Sequence, residues 1–292
     1  GSPLSFTLSV LDIPGATVET FHPKAVHLYG NTLYVANDAP GHYSLEVFDV
    51  SSGNVRHVKS MVEWMNGDKK ETFAGEPNGV TRSYGKIYVT NTGSRTDVFD
   101  AETYEFITCI GTGTWGEGGY QTVHAFDVTA SQGAVFIRDK RKLVVVLEQD
   151  VQPGSAARVP IYSRSINLQE AMGTYAVAAR NDGFLYVTAQ NKNMIYLFDP
   201  ADIWAGDTGF APYLVTLGFE KSPQSIAFVG DRLFVTLRVD DKRSELWEIS
   251  PKNGKLLQDF TDSMVYPEKI AGARHTLLVV DRATQTVKAI GL

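Results

Sequence analysis

Residues 22–37 read "HPKAVHLYGNTLYVAN", and residues 76–91 rewrite them as "EPNGVTRSYGKIYVTN". Each copy has a proline eleven positions before a tyrosine, a Gly-containing turn, and then Tyr-Val-small-Asn. A repeat of this length constrains the fold more than any other feature, because each unit must bury its apolar faces against its neighbours. The apolar strand that contains "YVAN" at Tyr34 recurs as "YVTN" at Tyr88, "FIRD" at Phe136, "YVTA" at Tyr186, "FVTL" at Phe234 and "LVVD" at Leu278. The spacings are 54, 48, 50, 48 and 44 residues, so six copies use nearly the whole chain of 292.

Every copy follows one grammar: a strand, a tight Gly/Asn/Asp turn, the anchor strand, a variable loop, a third apolar strand, a polar turn and a fourth short strand. Short β-rich runs bounded by turn residues are strands. No sustained 3.6-residue apolar stripe appears, and "PADIWAG" has room for one helical turn. A four-stranded unit written six times predicts an all-β, six-bladed β-propeller of antiparallel blades. A β-solenoid is the alternative, but its repeats are shorter and more regular.

The ends favour the propeller. The sixth repeat stops at Leu292 without a fourth strand, while residues 4–10, "LSFTLSV", form a strand with no repeat of its own. Leu4, Phe6, Leu8 and Val10 alternate with Ser5, Thr7 and Ser9. We expect this strand to complete the last blade and close the ring, removing an open sheet edge. The expected blades are 22–61, 74–111, 120–163, 170–217, 220–260, and 264–292 with 4–11, within one domain spanning 1–292.

Charge narrows the partners. A formal net charge of -6 argues against nucleic acid, whose binding rests on Lys/Arg neutralising phosphates. The basic run "RDKRK", residues 138–142, reads as a solvated loop. No apolar run approaches the ~20 residues of a transmembrane helix. The single cysteine, Cys109, lies in "FITCI" and reads as a small buried hydrophobe, not a nucleophile. The opening Gly1-Ser2 looks like an expression scar, so a natural leader would have been trimmed away. We expect a monomer.

The third repeat, residues 109–148, resembles an NHL repeat. Gly111, Gly113, Gly116, Gly118 and Tyr120-Gln121 match its Gly-rich, aromatic-Gln opening. Phe136 to Asp139 stand where "yVaD" belongs, although Val123 replaces the usual proline. Pro23, Pro77, Pro223 and Pro267 keep that proline in other copies, and the "YVTN" strands resemble YVTN-type propellers. This resemblance implies secreted, periplasmic or lipid-anchored bacterial proteins. The literal G-x-G-x-x-G at 111–116 lacks a following helix, so it is read as a loop and not as a dinucleotide site.

In propellers of this type, the innermost strand starts and the second strand ends at one mouth of the central channel. Aligning the copies places Lys24, Asn78, His124, Thr174, Gln224 and Glu268 at the inner-strand starts. Asn37, Asn91, Asp139, Ala189, Leu237 and Asp281 fall at the second-strand ends, with Arg138 and Arg238 close by. The polar members form a candidate ligand cup on a rigid scaffold. The resemblance also admits gluconolactonase-type hydrolases or lyases, which hold a divalent cation. Asn78, Asn91, Asp139 and Glu268 would be its oxygen ligands, suited to calcium or magnesium. The six histidines are scattered singly, which disfavours zinc. No Gly-x-Ser-x-Gly elbow appears, and Glu148 and Asp150 are read as an exposed acidic pair.

The leading expectation is non-catalytic recognition of a small molecule, glycan or protein at the channel mouth, with no required cofactor. A metal-dependent hydrolase or lyase is the alternative. A third is a scaffold using the rim aromatics Trp64, Trp115 and Trp204.

Overall fold

A computed structural model describes residues 1–93, 95–111, 125–139, 142–153, 164–167, 176–199, 201–202 and 215–292. Strand β1 is Phe6–Leu8. The first blade holds β2 (Pro23–Tyr29), β3 (Thr32–Asn37), β4 (Ser44–Asp49) and β5 (Arg56–Met61). A hairpin of β6 (Glu63–Asn66) and β7 (Lys69–Thr72) follows. The second blade holds β8 (Pro77–Ser83), β9 (Lys86–Asn91), β10 (Arg95–Asp100) and β11 (Phe106–Ile110). In the third are β12 (Ala125–Ser131), β13 (Ala134–Asp139), β14 (Lys142–Leu147) and β15 (Arg164–Asn167). The fourth has β16 (Val177–Ala179), β17 (Leu185–Ala189), β18 (Met194–Phe198) and β19 (Val215–Gly218). The fifth has β20 (Ser222–Val229), β21 (Arg232–Arg238), β22 (Ser244–Ile249) and β23 (Leu256–Asp259). The sixth joins β24 (Pro267–Ala273), β25 (Thr276–Asp281) and β26 (Thr286–Gly291) to β1, in the order β1-β26-β25-β24. All pairings are antiparallel, and no helix among the described residues is long and apolar enough to cross a membrane.

The innermost strands β2, β8, β12, β16, β20 and β24 each touch the next, and β24 returns to β2. Two of these approaches require glycine. A Cβ on Gly79 would meet Asp127 Cα at 3.0 Å, and one on Gly272 would meet Phe228 O at 2.0 Å.

Each second strand is buried on both faces, which is why its sequence reads as a continuous apolar run instead of alternating. In β3, Leu33 and Val35 join an apolar cluster with the sixth blade, while Tyr34 and Ala36 join one with the second. Every blade-to-blade junction has such a cluster, six in all. The cluster between blades six and one includes fully buried Leu8, with Leu4, Phe6 and Val10 packed against it. The expected closure by the N-terminal strand is therefore present, with Phe6 opposite Ala289 and Leu8 opposite Val287.

Three details depart from expectation. The outer strand of the third blade is Arg164–Asn167, beyond the expected end at 163. Glu148 is buried instead of solvated, accepting from Ser83 Oγ at 3.1 Å and Tyr88 OH at 3.4 Å across the blade junction. Burial raises its carboxyl pKa, the partial offset coming from Ser83 and Lys86. Trp64 is not a rim aromatic. It lies edge-on to Phe73 and Phe99, with ring centres 4.8 and 4.9 Å away, and seals the β6–β7 hairpin onto the second blade. Trp115, Trp204, Gly113, Gly116, Gly118 and Tyr120-Gln121 lie outside the described residues. Cys109 is buried, and desolvation pushes its thiol up to about 11, consistent with an inert role.

Candidate functional site

In the four repeats that carry it, the proline lies at the start of the inner strand, opposite the end of the second strand. Pro23 pairs with Asn37, Pro77 with Asn91, Pro223 with Leu237 and Pro267 with Asp281. Immediately afterwards the register slips: Ala25, Gly79, Ser225 and Ile270 are the next paired residues. The extra residues are Lys24, Asn78, Gln224, and Glu268 with Lys269. A β-bulge re-aims the side chain it carries, and here the same bulge recurs around the channel mouth. In the third blade, Ala125 pairs with Asp139 and the slip falls at Phe126. The residue equivalent to Lys24 is thus Phe126, two positions past His124. His124 and Thr174 lie outside the described residues.

The "T" of the "YVT" strands has a physical reason in this bulge. Thr236 Oγ1 accepts from Ser225 N at 3.1 Å and donates to Glu268 O at 2.6 Å. Thr90 donates to Asn78 Oδ1 at 2.8 Å, and Thr188 accepts from Ala176 N at 3.1 Å. A backbone kinked out of its ladder leaves groups that must find partners, and the threonine supplies one. Arg138 holds this position in the third blade, fully buried, where desolvation lowers its guanidinium to about 9 despite Asp139 beside it.

The second-strand ends behave differently. Asn37 Oδ1 accepts from His22 N at 2.8 Å and Ala39 N at 3.1 Å, and its Nδ2 donates to Thr20 O and His42 O. Asp281 accepts from Val265 N at 2.9 Å and Tyr266 N at 3.0 Å, and also from Ala283 N. Asn91 binds Gly93 N at 2.9 Å and Asp97 Oδ2 at 3.2 Å. These side chains clamp the loops around each inner strand. Asn37, Asn91 and Asp281 are buried in that work, and Asp139 is equally buried.

The bulge residues of blades one, five and six converge, whereas Asn78 and Phe126 do not line the same concavity. Lys24, Gln224, Glu268 and Lys269 line a concavity of about 400 Å³ together with Gln190, Asn191, Ser222, Arg238 and Tyr266. Four blades contribute. Lys24 pairs with Glu268, and Arg238 with Asp241. Burial alone would raise the Glu268 carboxyl, but Lys24, then Arg282 and Lys269, hold it below the usual range. Gln224 Nε2 donates to Tyr266 OH at 3.0 Å, and its buried Oε1 has no partner among the described residues. Lys269 spans the channel to Asp127, Nζ to Oδ1 3.4 Å, and also donates to Phe126 O. Lys269 lines the mouth concavity, and Asp127 lines a second, smaller space of about 190 Å³ together with His27 and Arg82.

The proposed metal ligands do not fit a cation. Lys24 already holds Glu268, and both amide atoms of Asn78 are engaged, Nδ2 with Ala125 O at 2.7 Å. Asn91 is spent on its loop, and Asp139 lies beside Arg138. Among the described residues no group of three or more acidic, histidine or cysteine side chains could hold a metal ion.

Sequence reasoning missed one grouping. Glu46 Oε1 accepts from Ser60 Oγ at 2.6 Å and contacts His57 Nε2 at 3.1 Å, and Ser60 Oγ is 3.2 Å from the same Nε2. A hydrolytic triad needs the acid on one ring nitrogen and the hydroxyl on the other. Here both meet one nitrogen, so the composition is right and the geometry is not. His57 and Ser60 are three residues apart and share a face only because of the bulge at Val58, so strand alternation could not have grouped them.

No family model matches the chain, and no curated protein matches it. Among solved structures, the chain is similar to virginiamycin B lyase from Staphylococcus aureus, with TM-score 0.62, 11% identity, and 99% of each chain covered. It is also similar to the Cps50 (Swd1) β-propeller domain of Myceliophteria thermophila, with TM-score 0.60, 14% identity, and 95% of this chain and 99% of that one covered. A putative 6-phosphogluconolactonase from Bacteroides fragilis gives TM-score 0.58 at 14% identity over 91% of this chain and 79% of that one. At these identities the likeness is one of fold, and that fold is the β-propeller.

Proposed function

We propose that the chain is a recognition propeller that binds a small polar molecule at the mouth of its central channel and performs no chemistry on it. The observation that supports this most is the concavity itself: a recurring bulge brings side chains of blades one, five and six together there, and the turn after β17 adds Gln190 and Asn191 from blade four. A concave site with a few convergent polar groups is the usual form of a small-ligand site. The Lys269–Asp127 bridge joins a residue of this concavity to a residue of the second space that His27 and Arg82 line.

The hydrolase or lyase reading takes encouragement from the names of two structural neighbours. It has less support in the site, where the carboxylate that would act or bind metal, Glu268, is neutralised by Lys24. Screening metabolite pools by thermal shift, followed by mass analysis of the recovered ligand, tests the proposal. A stabilising compound recovered unchanged supports it. Turnover of that compound, lost on Glu268→Gln, would replace binding by catalysis.

A further inference from the structure

We infer that the ligand is a neutral polyhydroxylated molecule, a small sugar or polyol, and not an anion; this rests on the reading of the mouth as a recognition site. Three cations line the concavity, but each is paired: Lys24 with Glu268, Arg238 with Asp241, and Lys269 with Asp127. Asp241 is exposed, and its pairing with Arg238 costs little to loosen. The carboxylates that hold Lys24 and Lys269 are themselves mostly buried, so an entering anion would gain either cation only by leaving Glu268 or Asp127 uncompensated. A hydroxyl makes no such demand, because it donates to the carboxylate and accepts from the ammonium of an intact pair.

Gln224 supplies the independent observation. Only 4% exposed, it lines the concavity, and among the described residues its buried amide oxygen has no partner. An unmet buried acceptor carries a desolvation penalty that a donor would remove. Carboxylate, sulfate and deprotonated phosphate have no donor to offer, whereas a sugar hydroxyl does. Should the amide be turned over, the orphan becomes an N–H, and a hydroxyl meets that as well. Gln190, Asn191 and Ser222 add further groups able both to donate and to accept. A volume of about 400 Å³ lies in the range of small-ligand pockets.

Calorimetric titration at constant ionic strength decides it. The probes are glucose, galactose, mannose, maltose, sorbitol and myo-inositol in one arm, and sulfate, phosphate and citrate in the other. The expected result is binding in the neutral arm, with an affinity that does not change between 0.05 and 0.5 M salt (roughly, across the range where screening acts). Gln224→Leu and, on a separate wall position, Ser222→Ala should each weaken it, the former about tenfold. Binding confined to the anion arm would overturn the polyol assignment and leave the recognition site standing. Failure of every neutral probe would likewise overturn it. A sugar held equally well by wild type, Gln224→Leu and Ser222→Ala would overturn the mouth as the site. Melting curves of both variants establish that each is folded.

Discussion

Lys269 of β24 and Asp127 of β12 belong to opposite positions in the ring of six inner strands, and their side chains meet, Nζ to Oδ1, at 3.4 Å. Lys269 is almost completely buried. Burial lowers its ammonium pKa and raises the Asp127 carboxyl, each opposed by the partner's charge. Removing one member should therefore hurt more than removing both. Lys269→Met should cost about 3–5 kcal/mol, and Lys269→Met with Asp127→Asn should recover a large part of it. The asparagine can still accept from Val177 N, as Asp127 does at 3.1 Å. Urea unfolding of the four-member cycle measures the coupling. Strict additivity would mean that the bridge is a contact without energetic weight.

His27 lines the second space with Asp127, and desolvation, followed by the nearby Arg82 charge, lowers its pKa to about 4. A histidine whose folded pKa lies below its unfolded value is stabilising only while neutral in both states. Its contribution is intact above pH 6.5 and declines as the unfolded chain takes a proton between pH 6.5 and about 4. Across that window the wild type should lose up to about 3 kcal/mol relative to His27→Gln. Paired denaturant melts at pH 7.5, 5.5 and 4 read this difference. A difference constant with pH would show that His27 is charged in the folded protein or reached by solvent.

The loop clamps and the mouth residues make opposite predictions for affinity. Asn37→Ala or Asp281→Ala leaves several backbone N–H groups unmet and should cost about 1–3 kcal/mol, without changing ligand affinity. Glu268→Gln should lower affinity, and because it leaves the mostly buried Lys24 without its carboxylate it should also cost stability. Thermal melts and titrations on the same three proteins separate the two classes. Equal losses of affinity in all three would return the second-strand ends to the binding surface.

The split explains what could be read from the sequence. Blade count and ring closure follow from hydrophobic pattern, which the repeat states six times and which Leu8 completes. Asn37, Asn91 and Asp281 looked like site residues because alignment gives the depth of a residue along the blade, not the direction of its side chain. Direction depends on the bulge, and a bulge leaves no mark beyond the proline before it. In the third blade even that mark is missing, so the alignment chose His124 where pairing makes Phe126 equivalent. The first spacing of 54 residues, the longest of the five, holds the β6–β7 hairpin, whose two-residue loop is Gly67-Asp68.

Ring closure offers the last test. β1 pairs with β26 through only three residues, yet Leu8 is fully buried, and Leu4, Phe6 and Val10 pack on the same cluster. Burying Leu8 alone is worth about 1.5–3 kcal/mol, and Leu8→Ala should cost about 2–5 kcal/mol once the cavity is counted. Deleting residues 1–11 removes all four side chains and bares the outer edge of β26 (Thr286–Gly291), a template for pairing with another copy. The truncated protein should melt at lower temperature and associate at high concentration. A synthetic peptide of residues 1–13, which adds the missing strand, should reverse both changes. Light scattering and thermal unfolding with and without peptide follow the outcome. A monomeric truncation with the melting temperature of the full chain would mean that the ring closes without β1.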